Sequence, residues 1–152
     1  MSKRIKGKFP IRPPTAGDYV MEDQVGFLMR VAMQRHTSIF TSRMVGDLTQ
    51  TQFAALAKLL EVGTCSQNHL GRLIYLDAAT IKGVVDRLRI RKLVTVHDNP
   101  KDRRRSMIAL TRAGRRVAEE AVAVAHQITA ETLAPLKRVE QRQVVRLLQK
   151  MI

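Results

Sequence analysis

The chain has 152 residues, 45% apolar and 26% charged, the proportions of one folded domain with extensions and not of a disordered segment. No apolar run approaches the ~20 residues of a membrane span, no secretory leader pattern follows the basic N-terminus, and a single cysteine, Cys65, excludes an internal disulfide framework or a cysteine-built zinc site, so a cytoplasmic setting is expected. Lys and Arg number 27 against 13 Asp and Glu, a formal charge of +14 that points to a polyanionic partner.

Residues 1–18, rich in Lys, Pro and Gly, read as a flexible basic arm. From about Asp18 a helical pattern begins: Val25, Leu28, Met29, Ala32, His36, Ile39 and Phe40 share one stripe until Gly46-Asp47, giving a helical segment over 19–46. Thr49 and Gln52 form a capping box, and the helix it opens carries Phe53, Leu56, Leu59 and Leu60 and stops at Gly63. Ser66 can cap a short helix with Leu70, Leu73 and Ile74 inward, and Asp77 another with Ile81, Val84, Val85 and Leu88 inward. Three short helices on tight connections outline a helix-turn-helix. The period then changes. Residues 93–96 and 106–110 read as short strands joined by a polar turn with a cationic tip, a β-hairpin wing. Thr111 caps a long helix to about Leu133 with Val117, Ala121, Val124 and Ile128 on one stripe; after Pro135 a last helix carries Val144, Leu147, Leu148 and Met151. The expected fold is mainly α with a small β-hairpin: a winged helix-turn-helix over 47–110, flanked by helical segments 19–46 and 111–152.

The charge is unevenly placed. Residues 82–116 hold 12 basic and 3 acidic side chains; Lys3, Arg4, Lys6, Lys8 and Arg12 form a second basic run, and the rest balances at 10 against 10. Two Tyr, four Phe and no Trp argue against a stacking platform for single strands, so duplex DNA is the expected polyanion. With the apolar stripe of the fourth helix buried, its other face presents Ala78, Ala79, Thr80, Lys82, Gly83 and Arg87. Small residues at the helix start let the backbone approach the major groove, where Thr80 and Lys82 can meet base edges. Arg103 or Arg104 at the wing tip suits the narrow, electronegative minor groove. Arg72, Arg87, Lys101, Arg112 and Arg115 are expected on phosphates, with an ion pair of Arg87 to Asp86 or Asp77 as the alternative.

The outer helices need a partner for their apolar faces, and a second copy of the chain is the economical one. Such a homodimer sets two recognition helices ~34 Å apart, matched to an inverted repeat.

The run Asp77-Ala-Ala-Thr80, Asp86-Arg87-Leu88, Lys92-Leu93-Val94, Asp98, Asp102-Arg103-Arg104 and Leu110-Thr111 with Ala113-Gly114 resembles the signature of the MarR (multiple antibiotic resistance regulator) winged-helix transcription factors. The resemblance implies a homodimer on an inverted-repeat operator, usually a repressor, released by a small, often aromatic and anionic molecule. It also implies that Asp102 holds Arg104 in place. Lys92 stands where the family usually has Gly, which implies a somewhat different helix end and one more charge toward phosphate. The first-helix segment Tyr19-Val-Met-Glu-Asp-Gln24 with Gln34-Arg-His36 looks similar to that of regulators of aromatic or N-heteroaromatic acid breakdown, which implies a hydroxylated aromatic carboxylate as effector.

For the effector, His36 on the first apolar stripe could hold a carboxylate, with Arg43 as cation, Phe40 and Met44 as walls and Tyr75 as an orienting hydroxyl; a hydrogen-bonded core role is the commoner explanation for such a His. Cys65, just before the capping Ser66, offers an oxidant trigger as the rival, since a helix N-terminus can lower a thiol pKa. His69, His97 and His126 lack metal-ligand spacing, no cofactor is expected, and no Gly-rich phosphate loop or nucleophile–base pair suggests an enzyme. A sequence-neutral basic nucleic-acid-binding protein is the other alternative.

Overall fold

The structure is a computed structural model that describes residues 15–152, apart from the side chains of Arg103 and Arg104. Two compact units divide the chain at Gln34/Arg35. In the first, two single 3-10 turns, Ala16–Asp18 and Met21–Asp23, precede α1 (Val25–Arg43), so the helix starts at the first residue of the apolar stripe and later than the expected start near Asp18. Val25, Leu28, Met29, Val31 and Met33 are all exposed. The Lys-rich part of the expected arm, residues 1–14, lies outside the described residues.

The second unit holds the end of α1, then α2 (Gln50–Val62), β1 (Cys65–Ser66), α3 (Gln67–Leu73), α4 (Ala78–Ile90), β2 (Val94–Asn99), β3 (Asp102–Leu110), α5 (Arg112–Leu133) and α6 (Arg138–Gln149). The starts of α2, α3, α4 and α5 follow from their caps. Thr49 and Gln52 close the expected box, and the Ser66, Asp77 and Thr111 side chains accept from His69, Thr80 and Gly114 N–H. α2 ends at Gly63, with φ 76°. Met151 lies past the end of α6, so the last stripe is carried by Val144, Leu147 and Leu148.

The sheet is antiparallel in the order β1-β3-β2. β2 and β3 are the predicted hairpin; β1, which the sequence reading lacked, pairs Cys65 with Ile108 and Ser66 with Met107. The main core gathers Leu56, Leu59, Leu70, Ile81, Val84, Val85, Leu88 and Ile108, closed by Ala118 and Ala121 of α5. A second cluster joins Ile39 and Phe40 of α1 to Ile128 of α5, with Met44, Phe53 and Val124 against it. The small side chains on α5 let backbones meet closely. A Cβ at Gly114 would sit 1.8 Å from the Leu93 carbonyl oxygen, so only glycine can stand there.

Candidate nucleic-acid interface

α4 is built as a two-faced rod. Ile81, Val84, Val85 and Leu88 are at most 1% exposed, whereas Ala78, Ala79, Thr80, Lys82 and Arg87 face solvent and Gly83 is half-buried. Asp77 Oδ1 accepts the Thr80 N–H at 2.7 Å and Oδ2 accepts its hydroxyl at 3.0 Å; these bonds hold the Asp77 carboxyl below the usual range. With its proton given to Asp77, Thr80 keeps a methyl and acceptor lone pairs for any base edge. Arg87 lies over Gly83, where an added Cβ would meet Nη2 at 3.6 Å. The expected alternative for Arg87, an ion pair with Asp86 or Asp77, is corrected. Asp86 is held by Lys82 at 2.7 Å and by Arg89 at 3.7 Å, and its carboxyl is lowered chiefly by the Lys82 hydrogen bond; Asp77 serves Thr80. Lys82 is thus held in an exposed pair, a weak constraint on its ammonium group.

On the wing, Lys101 N donates to Asn99 Oδ1 at 2.9 Å at the hairpin tip, and Asp102 Oδ2 receives Arg105 Nε at 3.3 Å. The Arg103 and Arg104 side chains, and with them the Asp102–Arg104 link, lie outside the described residues. Arg72 Nη2 stands 3.4 Å from His69 Nδ1. Arg112 and Arg115 are exposed on the first turns of α5, where the helix dipole disfavours cations, so they do not stabilise that helix through its dipole. Lys92 corrects the expected altered helix end. It adopts φ 58°, its N–H donating to Arg89 O and the Leu93 N–H to Leu88 O, the glycine-type geometry made by a lysine. The sequence reading missed Arg105 and also Arg91, whose guanidinium reaches Gly46 O across 45 positions.

The proposed effector residues are only partly together. His36 Nδ1 lies 2.9 Å from Thr132 Oγ1, Arg43 Nη2 pairs with Glu131 at 2.8 Å, and Phe40 packs between His36 and Phe53 with ring centroids 6.4 and 5.9 Å away. A cleft of about 520 Å³ is walled by Phe40, Met44, Thr37, Thr41 and residues 47–51. Its lining does not include His36 or Arg43, because both turn to the C-terminal end of α5. Tyr75 is 78% exposed, in the turn after α3 with φ 56°, and does not line the cleft either. Cys65 is buried in β1, and burial pushes its thiol pKa up, opposite to the activation considered from sequence. Among the described residues no helix is long and apolar enough to cross a membrane.

The same elements are those that comparison with known proteins picks out. A model of the MarR family matches residues 46–105, from the loop before α2 to the wing. The HTH-type transcriptional repressor NicR of Pseudomonas putida is 38% identical over 135 residues, 88% of this chain and 85% of that protein. The crystal structure of a probable transcriptional regulator from Pseudomonas aeruginosa is 45% identical, covers 88% of this chain and 100% of its own, and superposes with a TM-score of 0.85. BpsR of Bordetella bronchiseptica, whose DNA binding is regulated by 6-hydroxynicotinic acid, is 41% identical over 88% of this chain and 96% of that one, with a TM-score of 0.83. Agreement of this extent, with the family model falling on the winged helix itself, establishes that the chain belongs to the MarR family of transcriptional regulators.

Proposed function

We propose that the chain is a homodimeric repressor that binds duplex DNA at an inverted repeat and leaves it when a small aromatic carboxylate binds. The observation that carries the DNA reading is α4, whose inward face is sealed while its outward face pairs small residues with Lys82 and Arg87 beside a cationic wing. Dimerisation is supported by the apolar residues left exposed on the outer helices: Val25, Leu28 and Met29 on α1, and Val139, Leu147 and Leu148 on α6. The effector class is supported by the likeness to BpsR and by the His36, Phe40 and Arg43 row on α1, where a carboxylate would compete with Glu131 for Arg43.

The experiment is fluorescence anisotropy on the duplex upstream of the chain's own gene against a scrambled duplex, with and without 6-hydroxynicotinic and hydroxybenzoic acids, beside light scattering for mass. Preference for the native duplex, a two-chain mass and release by one of the acids are expected. Equal grip on both duplexes favours the sequence-neutral alternative and ends the operator reading. Release unaffected in Arg43→Ala and His36→Ala removes these residues from the effector site.

A further inference from the structure

A second polar hollow lies between α3 and the wing. Its volume is about 190 Å³ and it is lined by Ser66, Gln67, Asn68, Arg72, Arg105 and Ser106. The pairing of Ser66 with Met107 brings the start of α3 against β3, so residues 40 positions apart in sequence share one wall. Among the described residues two guanidinium groups, two hydroxyls and two carboxamides line it, and no carboxylate does. Asp102 meets one of these guanidinium groups at its Nε, and guanidinium forks suit phosphate oxygens in particular. Arg105 is oriented for this. Its Nε is engaged by Asp102 at 3.3 Å, which leaves the terminal nitrogens as the part of the fork available to a ligand.

We infer that Arg105 and Arg72 together seat one phosphate of the DNA backbone. The inference rests on the DNA-binding reading above. A duplex with α4 in its major groove and the wing tip in the adjacent minor groove turns toward the protein the sugar–phosphate strand that separates the two grooves. The hollow is walled by α3 and by β3 of the wing, and a strand held between helix and wing would lie along it. Its role is positioning: it sets the register of α4 along the groove and carries no sequence preference of its own.

The test uses the full-length chain and its footprinted upstream duplex. Wild type, Arg105→Ala, Arg72→Ala and the double variant are titrated by anisotropy from 50 to 300 mM KCl, after thermal melts show that each is folded. Each single variant is expected to bind roughly tenfold more weakly and to lower the slope of log K against log salt by about 0.9. The double variant is expected to lose little more than either single one, because both arginines hold one phosphate. A methylphosphonate scan should find one position at which neutralisation weakens wild type but not Arg105→Ala. Affinity and slope unchanged in Arg105→Ala overturn the inference. So does a variant that binds DNA normally yet no longer responds to the aromatic acid, or a double variant whose slope falls by twice the single value. A wild type that does not distinguish its own duplex from a scrambled one overturns the operator reading instead, which keeps the two failures apart.

Discussion

Arg91, the residue that ends α4, donates from Nη2 to the carbonyl of Gly46 at 2.5 Å, tying the end of that helix to the loop between α1 and α2. That loop is held in an unusual shape: Gly46 has φ 64° and Asp47 φ 49°, and Asp47 and Leu48 border the 520 Å³ cleft. One side chain thus connects a cleft wall to the element proposed to read DNA. Arg91→Ala should cost about 1 kcal/mol, or roughly 2–4 °C in melting temperature, and should leave the salt slope of DNA binding unchanged. A slope reduced by about one with no loss of stability would make Arg91 a phosphate contact and not a strut.

The junction of the wing with α5 has no slack. Thr111 N donates to Leu93 O at 3.0 Å, its hydroxyl lies 2.8 Å from Lys92 O, and Gly114 packs directly on the Leu93 carbonyl. Gly114→Ala pushes a methyl into that oxygen, and relief requires α5 to move away from the hairpin. The expected loss is about 3 kcal/mol or more, read as a lowered urea midpoint or failure to accumulate folded protein. A variant within 1 kcal/mol of wild type would mean that α5 can shift freely against the wing.

Local chemistry made most of this fold legible in the sequence, and long-range pairing hid the rest. Thr49, Ser66, Asp77 and Thr111 each cap the helix expected of them, because a cap is a contract between residues three apart. The inward residues of α4 were equally readable from their spacing. β1 was not, since two residues carry no period and become a strand only by pairing with Ile108 and Met107. The Arg105 and Arg72 hollow and the Arg91 strut depend on partners far away in the chain. The effector group is a mixed case: helical spacing put His36, Phe40 and Arg43 in one row, but nothing in the sequence says that His36 and Arg43 turn to Thr132 and Glu131 or that Tyr75 stands in an exposed turn. The Lys82–Asp86 pair was available from its spacing of four, and the competing attraction of Arg87, next in the chain, obscured it.

Lys92 carries a conformation that glycine adopts without strain. Both hydrogen bonds of the helix stop are present, so the motif has formed in spite of the side chain. Lys92→Gly removes the clash of Cβ with its own carbonyl, offset in part by the greater freedom of glycine in the unfolded chain, for a net gain of about 0.5–1 kcal/mol. Thermal melts at fixed protein concentration measure this directly. If the variant is less stable, the lysine must gain from contacts that its exposed position does not suggest.

The cap of α4 should make the protein sensitive to acid at the start of that helix. The Asp77 carboxyl is held low by the Thr80 N–H and hydroxyl, and that of Asp86 by Lys82, so both are more acidic folded than unfolded. A depressed carboxylate contributes stability above its unfolded pKa of about 3.9, and the contribution disappears as pH falls through the lower folded value. Stability should therefore be level near neutrality and fall below about pH 4. Asp77→Asn separates the cap from the rest, because the amide oxygen still accepts from Thr80 N–H but does not titrate. At pH 7 the variant should be the less stable, having lost the charge-assisted bonds, and the gap to wild type should close toward pH 3. Urea titrations of both proteins across this range decide the matter. A gap that stays constant with pH would show that the Asp77 charge contributes nothing to the fold, and that Thr80 is held by the cap geometry alone.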